Sequence, residues 1–465
     1  MLQAPIEDLE IAPGHLVEWE MVATTMRGTP APAEPRENTS YNQAKHFSVA
    51  QEARSTNDPL GSYLAGTFEI AGPLDREALE AALLFFVRRH EVLRSTFHQL
   101  SGELSCDTLG PDEIALKSVE VGSVDSAPEL RDRLHRFFQR VDPVSGPLLV
   151  MGAVIREEST TVCFACDHLV TDGISTPLAV RDIATAYAAY ARGEQPELPE
   201  AGSCLAFSRE QHRRHQEIGA DDPRLDYWRT FMAGNGGFFP PFPLDIGVEP
   251  GRVHPTVNET DQLLTAEEVD AMESRCRAAG GRLFMGILAA VGVSLRKEGG
   301  PAVYRGLMPV SERGRDSYAH AMGWFVNTLP IAFSVAEDRD FTEIMTGVRD
   351  AAAEMREHAD VPFVRAWHLL APQYAAMRYW PYPVNFFSYL DFRRVPGARH
   401  HTDRKAGKHI WASHSNGICF WFHRNDTGLY VNSLYADTPQ ARRTKPALIR
   451  TLTRTLHNVT RTGTL

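Results

Sequence analysis

The N-terminal part of the chain carries its hydrophobic residues in two successive patterns. Residues 62–72, SYLAGTFEIAG, form a strand candidate. Residues 74–90, which follow, place apolar side chains at i, i+4, i+7 and i+8, the spacing of an amphipathic helix with one buried stripe. This stripe consists of Leu79, Leu83, Phe86 and Val87. The patterns therefore predict a strand followed by a helix that buries one face.

A second pair of β-rich segments lies near the middle of the N-terminal half. Residues 147–155 and 160–168 flank the polar residues 156–159, and this arrangement predicts an antiparallel hairpin. Residues 177–193 then show helical periodicity with a stop at Gly193. The residues that carry this period are Ile183, Tyr187 and Tyr190.

The C-terminal half uses the same kinds of element without a detectable sequence repeat. Thr265 and Glu268 form a capping-box pattern ahead of a helix. Later patterns predict an apolar helix, a strand and a long helix, near 283–296, 302–308 and 341–357. Turn-forming residues at 416–417 and 426–428 divide residues 408–435 into β-rich segments. They predict a three-stranded antiparallel meander.

Two stretches without periodicity separate these elements. Residues 27–38 are rich in Pro and Gly and predict an irregular connection, and residues 194–205 resemble a connector between lobes. The expected fold class is α+β, with two lobes that each pack helices against a sheet. We place the N-terminal lobe at 1–200 and the C-terminal lobe at 201–465.

Composition narrows the class of protein. The chain has 465 residues, of which 43% are hydrophobic and 23% charged, as in globular proteins. A formal net charge of -11 argues against nucleic-acid binding as the main function. Six scattered cysteines, an N-terminus without a secretory signal and the lack of a long apolar segment predict a cytoplasmic protein with reduced thiols and no membrane span.

One short motif carries candidate chemistry, the sequence CDHLVTDGIS at 166–175. His168 at a strand end can act as a general base, because an imidazole titrates near neutral pH. Asp172 can hold the loop through an arginine, and Gly173 can expose a backbone amide to substrate. The alternative is a buried histidine beside a turn aspartate, and the motif alone favours that alternative.

Other residue groups have ordinary structural explanations. Cys163 and Cys166 form a CxxC, but on a strand they point to opposite faces, so no metal site is expected. Residues 212–215 and 393–409 are basic and either form solvated surface or recognise phosphate groups or an acidic protein. The chain has no GxSxG, P-loop or dinucleotide fingerprint.

Several segments, taken in chain order, resemble motifs of the condensation domains of nonribosomal peptide synthesis. The segment 166–175 resembles their HHxxxDG motif. The other segments are 88–97 (RRHEVLRSTF, the second core motif), 225–234 (a Tyr-Trp segment), 308–315 with 322–331 (PVxxR and GxFVNTLP), and 358–367 (DVPF). The chain is identified as a member of the condensation-domain superfamily. APGHLVEW, SYNQAKHF and PPFPLDIG look more like polyketide-associated (Pap-type) acyltransferases and freestanding condensation enzymes.

The resemblance implies two chloramphenicol-acetyltransferase-like lobes in a V-shaped pseudo-dimer, with the active-site tunnel between them. His168 falls on the catalytic histidine of the family and Asp172 on its structural aspartate. Arg313 falls on the arginine of PVxxR that would pair with that aspartate, and Arg315 is the competing partner. Such an Asp–Arg pair would be a positioning device for His168.

Two positions depart from the family pattern. The first histidine of HHxxxDG is Asp167 here, and its side chain is expected to face away from the tunnel. Ser388 stands where many relatives carry asparagine, and its hydroxyl is a candidate donor to the tunnel. Trp324 and Asn327, from the GxFVNTLP segment, are further candidates for tunnel or substrate contact.

The implied function is acyl transfer in natural-product biosynthesis, without an acyl-enzyme. His168 would take the proton from an acceptor hydroxyl that attacks a thioester on the phosphopantetheine of a separate carrier protein, and an ester would form. The Gly173 amide would stabilise the oxyanion. No bound cofactor is expected. The alternatives are a CoA donor with a trehalose-like sugar acceptor, an amine acceptor that gives an amide, and a catalytically silent module that recruits another enzyme.

Overall fold

The computed structural model of the chain describes residues 1–24, 37–56, 60–100, 102–249, 252–314, 318–336, 339–372 and 384–465. The strands are β1 Leu2–Gln3, β2 Gly14–Ala23, β3 Glu37–Asn38, β4 Ser62–Ala71, β5 Ser95–Leu100, β6 Glu103–Thr108, β7 Ile114–Val124, β8 Leu149–Ile155, β9 Ser159–Cys166, β10 His254–Thr265, β11 Val303–Ser311, β12 Val326–Ser334, β13 Phe387–Asp391, β14 Gly407–Ala412, β15 His414–Ser415, β16 Ile418–Arg424 and β17 Gly428–Ala436.

The helices are α1 Tyr41–Ser55, α2 Arg76–Arg89, α3 Ala127–Phe138, α4 Ser175–Tyr190, α5 Cys204–His215, α6 Asp226–Ala233, α7 Ala266–Ala278, α8 Leu283–Lys297, α9 Phe341–Glu357, α10 Phe363–Leu370 and α11 Ala441–Thr462. Most of the predicted connection at 27–38 lies outside the described residues.

The chain forms two compact units that are not simple halves of the sequence. Unit 1 contains residues 1–216, 311–326 and 394–412, and unit 2 contains the segments 217–310, 327–393 and 413–465. This division differs from the expected boundary at residue 200, because two later segments return to unit 1 and pair with its elements. The segment with Arg313 is one of them, although we had placed it in the C-terminal lobe.

Unit 1 is built on a seven-stranded sheet in the order β1-β14-β4-β9-β8-β2-β7, with a three-stranded sheet β3-β6-β5 beside it. The predicted hairpin is present as β8 and β9, which pair in antiparallel register. The predicted meander is wrong in its first strand. β14 joins this sheet, antiparallel to β4, and only β16 and β17 form the expected hairpin. Turn signals define hairpins, but they do not specify which sheet a strand joins.

The helices of unit 1 bury the faces that the sequence predicts. The stripe of α2 is confirmed, since Leu79, Leu83, Phe86 and Val87 are all fully buried. The helix α4 packs on β4 and on α2. The close packing of α4 on the sheet requires glycine at Gly66 of β4, because a Cβ there would collide with the ring of Phe164 on the neighbouring β9 and touch Thr176 on α4.

Unit 2 is built on a five-stranded sheet in the order β13-β16-β17-β10-β15 and a two-stranded sheet of β11 and β12. The capping box of Thr265 and Glu268 is confirmed at the start of α7. The predicted apolar helix, strand and long helix correspond to α8, β11 and α9. Both units thus combine sheets with packed helices, which confirms the expected α+β class.

Across the described ranges, no single helix is long and apolar enough to span a membrane, and the bent pair Ala266–Ala278 with Leu283–Lys297 passes that test only when the two helices are taken together.

Candidate active site

The segment between β9 and α4 presents His168 at the end of a central strand. β9 ends at Cys166, and a short 3-10 turn, His168–Val170, follows directly. Asp167 caps this turn, because its Oδ1 accepts a hydrogen bond of 2.8 Å from the amide of Leu169. The predicted placement of His168 at a strand end is confirmed. The rigid strand and the capped turn fix its backbone.

The imidazole of His168 lies near two other rings, those of Trp324 and His46. Its ring centroid is 3.8 Å from that of Trp324 and 6.1 Å from that of His46. His168 is partly exposed, whereas its Nδ1 is buried and has no hydrogen-bond partner within the described part of the chain. Burial, aided by the nearby His46, lowers the pKa of His168 to about 4. The ring is therefore neutral at physiological pH and can accept a proton.

Asp172 is the centre of a buried hydrogen-bond network. Its Oδ1 accepts from the amides of Ile174 and Ser175, at 3.0 and 2.9 Å, and so holds the start of α4. Its Oδ2 accepts from the amide of Phe325 at 3.1 Å. Burial by itself would raise the pKa of Asp172, but Arg313 and these hydrogen bonds hold it below its ordinary value. The carboxylate thus stays ionised inside the protein.

Arg313 is the arginine that contacts Asp172. Its Nη2 lies 2.9 and 3.0 Å from the two carboxylate oxygens, and both side chains are buried. The guanidinium also donates to the carbonyls of Tyr318 and Ala321 and lies 4.4 Å from the ring centroid of Phe325. The alternative partner, Arg315, lies outside the described residues.

The segment 322–325 is held at its backbone amides. The amide of Met322 donates to Nδ1 of His90 at 3.3 Å, and that of Gly323 donates to Oγ of Ser175 at 3.3 Å. Gly323 has a φ of 140°, and a Cβ there would collide with the sulfur of Cys204, so glycine is required. Together with the bond from Phe325 to Asp172, these contacts place Trp324 against His168.

His90, from the RRHEVLRSTF motif, is part of a second buried network. Its Nε2 donates to Asp182 at 2.9 Å, and Arg89 and Arg181 also donate to that carboxylate, at 3.0 and 2.7 Å. Burial lowers the pKa of His90, although Asp182 opposes the effect. A neutral His90 leaves Nδ1 free to accept from Met322. The motif therefore anchors the segment that carries Trp324.

Gly173 contacts a residue that sequence reasoning missed. The ammonium of Lys408, on β14, donates to the carbonyl of Gly173 at 3.2 Å. Lys408 is buried, and burial lowers its pKa to about 8, with Asp172 opposing. The sequence signal was present, since Lys408 belongs to the basic stretch 393–409. Only the pairing of β14 with β4 brings it to the HxxxDG loop.

His46 is the second residue that sequence reasoning missed. It lies on α1, and its Nε2 donates to both carboxylate oxygens of Asp167, at 3.1 and 3.3 Å. Asp167 is buried together with it. Burial by itself would raise the pKa of Asp167, but His46 and the amide of Leu169 hold it below its ordinary value. The segment SYNQAKHF, which contains His46, entered the sequence analysis only as a family resemblance.

The other predicted site residues lie in unit 2. The amide of Asn327 on β12 donates to the carbonyls of Ala359 and Val361 and accepts from the amide of Phe363, so it braces the start of α10. Ser388 lies on β13, where it is paired with Trp421. Contact of Asn327 or Ser388 with substrate stays a prediction.

The remaining sequence candidates take ordinary structural positions. Cys163 and Cys166 are buried on β9, and burial raises the pKa of both thiols. No group of three or more His, Cys, Asp or Glu side chains in the described ranges could hold a metal ion. In the basic segment of α5, His212 stacks on Tyr41 and His215 is buried. Recognition of phosphate or of an acidic protein by the basic stretches stays a prediction.

Comparison with known proteins shows that the chain is an acyltransferase of the condensation type. Residues 55–378 match the model of the family described as "Condensation domain". The match covers more than half of the chain, and the chain therefore belongs to the condensation-domain family.

Known acyltransferases resemble the chain over most of its length. Acyltransferase PapA3 of Mycobacterium tuberculosis is 26% identical over 467 residues, which cover 98% of this chain and 96% of the relative. The 2'-acyl-2-O-sulfo-trehalose (hydroxy)phthioceranyltransferase PapA1 of the same organism is 27% identical over 367 residues, 78% of this chain and 70% of the relative. The solved structure of PapA2 acyl transferase has a TM-score of 0.88 at 21% identity, covering 99% and 100% of the two chains.

Proposed function

We propose that this acyltransferase moves an acyl group from the phosphopantetheine thioester of a separate carrier protein to an acceptor hydroxyl, with His168 as the general base. The neutral, partly exposed imidazole at the end of β9 carries the proposal. Its pKa of about 4 leaves it unprotonated at physiological pH. Because Nδ1 is buried, Nε2 is the nitrogen available to the acceptor hydroxyl.

The proposed reaction has two proton transfers and no acyl-enzyme. His168 takes the proton of the acceptor hydroxyl as the oxygen attacks the thioester carbonyl, and the carbonyl becomes an oxyanion. The C–S bond then breaks, an ester forms, and His168 returns the proton to the leaving thiolate. The amide of Gly173 stabilises the oxyanion. The contact of Lys408 with the Gly173 carbonyl supports this role, because it fixes the orientation of the neighbouring peptide.

The buried residues around His168 support a role in holding the catalytic imidazole in position. Asp172 and Arg313 contact each other, hold the start of α4 and hold the segment with Trp324. Within the described residues, neither side chain makes a hydrogen bond to the ring of His168, so we assign both as positioning residues. A general base with a fixed orientation contributes more than a mobile one, because misplacement of reacting groups by about 1 Å can cost about a hundredfold in rate.

A second candidate is sugar O-acylation, with a CoA thioester as the alternative donor. The name of the relative PapA1 refers to an acylated sulfo-trehalose, and that relative matches 78% of this chain. Transfer to an amine would leave the role of His168 unchanged and give an amide. The chemistry at the base is the same in all three cases, and the identities of donor and acceptor separate them.

The test is an acyl-transfer assay read by mass spectrometry. One acyl group is presented on a carrier protein and on CoA, and each donor is combined with alcohols, a disaccharide such as trehalose, and amines. We expect ester formation from the carrier-bound donor, and an about 10²–10⁴-fold loss of rate in His168→Ala. His98→Ala, at a partly exposed histidine on β5, is the matched control and keeps the wild-type rate. Full turnover by His168→Ala would refute the assignment of the base.

A further inference from the structure

Two residues from different parts of unit 1 form a buried pair beside His168. Asp167 directly precedes His168, and His46 reaches it from α1 with its ring 6.1 Å from the ring of His168. The ring of His46 also meets the edge of Trp324, at 5.8 Å. The three rings therefore form one cluster. The carboxylate of Asp167 joins this cluster through its hydrogen bond with His46.

The helix α1 holds the turn of His168 at two points. Gln43, which is buried, donates from Nε2 to the carbonyl of Leu169 at 2.7 Å. His46, one helical turn further on, donates to Asp167. Asp167 in turn accepts from the amide of Leu169. Movement of α1 would therefore move the backbone on both sides of His168.

The other charged groups near His168 have partners of their own. Asp172 is paired with Arg313, and the ammonium of Lys408 lies at the carbonyl of Gly173. The pair of Asp167 and His46 differs because it lies directly beside His168, through the chain at Asp167 and through the ring of His46.

We propose that Asp167 and His46 are a positioning pair that orients His168 and sets how readily it takes up a proton. This inference rests on the proposed role of His168 as general base. Asp167, which stands where the family motif has a histidine, thus has a function in this chain. Its carboxylate stabilises the imidazolium that forms when the acceptor hydroxyl is deprotonated, and a cationic His46 limits this stabilisation.

The two members of the pair act on His168 in opposite directions. The negative charge of Asp167 raises the pKa of His168, and a cationic His46 lowers it. Removing His46 should therefore shift the acid limb of the kcat/KM profile to higher pH, and removing Asp167 should shift it to lower pH. A purely structural role would reduce the amount of folded enzyme in both variants without shifting either limb.

The experiment compares isosteric variants of the full chain over the pH range in which it stays folded. In His46→Gln the amide can still donate to Asp167 but carries no charge. We expect its acid limb to move up by about one pH unit. In Asp167→Asn the side-chain oxygen can still cap the turn, and we expect an acid limb at lower pH than wild type with a severalfold lower kcat, because the base is weaker.

The double variant and one control complete the test. His46→Gln with Asp167→Asn removes both charges, and its acid limb should return towards that of wild type, because the two opposite shifts cancel. His98→Gln, in the partly exposed pair of His98 and Asp107, should keep the wild-type profile. Circular dichroism and thermal unfolding of each variant confirm that it is folded.

The outcomes separate this inference from the proposed function. If His168→Ala is inactive while both single variants keep the wild-type limb, His168 is the base and the pair has no effect on it. If the acid limbs of His46→Gln and Asp167→Asn moved in the same direction, the inference would also be overturned. If His168→Ala is fully active, His168 is not the base, and the proposed function is refuted together with the inference that rests on it.

Discussion

The indole of Trp324 lies on the imidazole of His168, with ring centroids 3.8 Å apart and planes inclined by 32°. This contact joins two segments that are separated by more than 150 positions in the chain. It also excludes water from one face of the base. The geometry of this pair and of its supports leads to four predictions.

Trp324→Leu should raise the pKa of His168 from about 4 towards its ordinary value of 6.5, because burial is the main cause of the lowered value. The acid limb of kcat/KM should move up accordingly, and the rate near pH 5 should fall about tenfold or more. The pH–rate profile measures both. Trp411→Phe, which replaces a ring stacked on Tyr63 in the same unit, is the control and should leave the profile unchanged.

Asp172→Asn should destabilise the protein by about 3–5 kcal/mol, because it leaves the buried Arg313 without its carboxylate. We expect kcat to fall about a hundredfold with little change in KM, since the residue positions the base and is not expected to bind substrate. Urea unfolding and steady-state kinetics test the two effects.

The double variant Asp172→Asn with Arg313→Met should be less destabilised than the sum of the single variants, because no unpaired charge remains. Arg133→Met, which breaks an exposed pair with Glu129, should change the free energy of unfolding by less than about 1 kcal/mol. Wild-type stability and kcat in Asp172→Asn would contradict the positioning role.

Lys408→Met should change the response to alkaline pH. The folded pKa of Lys408 is about 8, below its ordinary 10.5, so the unfolded state binds more protons between these values. The contribution of Lys408 to the stability of wild type therefore becomes more favourable as pH rises from 8 to 10.5 and less favourable as pH falls through this window. The variant should lack this change. Equilibrium unfolding at pH 8 and pH 10 measures the difference.

The same variant should also lower kcat at pH 7, because the carbonyl of Gly173 loses its anchor. A variant with the wild-type kcat would show that Gly173 does not need Lys408.

His90→Phe should loosen the segment that carries Trp324. An aromatic ring is kept, but the amide of Met322 loses its acceptor and Asp182 loses a donor. We expect a cost of about 1–3 kcal/mol for the buried group left unpaired, and a lower kcat. His90→Gln, which can keep one of the two bonds, should lie between wild type and His90→Phe in thermal unfolding. Equal stability of all three proteins would contradict the anchoring role.

Local patterns in the sequence were enough to predict most individual elements. The stripe of α2, the capping box at Thr265 and the hairpin of β8 and β9 depend on residues within a few positions of each other. The first strand of the predicted meander was wrong because the sheet that β14 joins depends on β1 and β4, which lie several hundred positions away. The contact of Lys408 with Gly173 could not be predicted for the same reason, because it depends on the pairing of β14 with β4.

The site was predictable only in part. The spacing of His168 and Asp172 allowed a catalytic interpretation but by itself favoured a structural one. The family resemblance then made the catalytic interpretation the preferred one. Their partner Arg313 could be named from the PVxxR motif, and it contacts Asp172. His46 could not be found in this way, because no motif in the chain connects it to Asp167. Their proximity follows from the packing of α1 on the turn of His168.

The interleaved composition of unit 1 has a consequence for synthesis on the ribosome. Two late segments of the chain complete unit 1. The first carries Arg313 and Trp324 to the site, and the second adds β14 to the sheet. Both are translated long after the other strands of that sheet. Until residue 412 has emerged, β4 is an edge strand of its sheet with unpaired backbone groups. Such an edge can pair with another nascent chain. Aggregation during expression should therefore depend on how fast residues 217–412 are translated, and N-terminal fragments that end before β14 should aggregate more than the full chain.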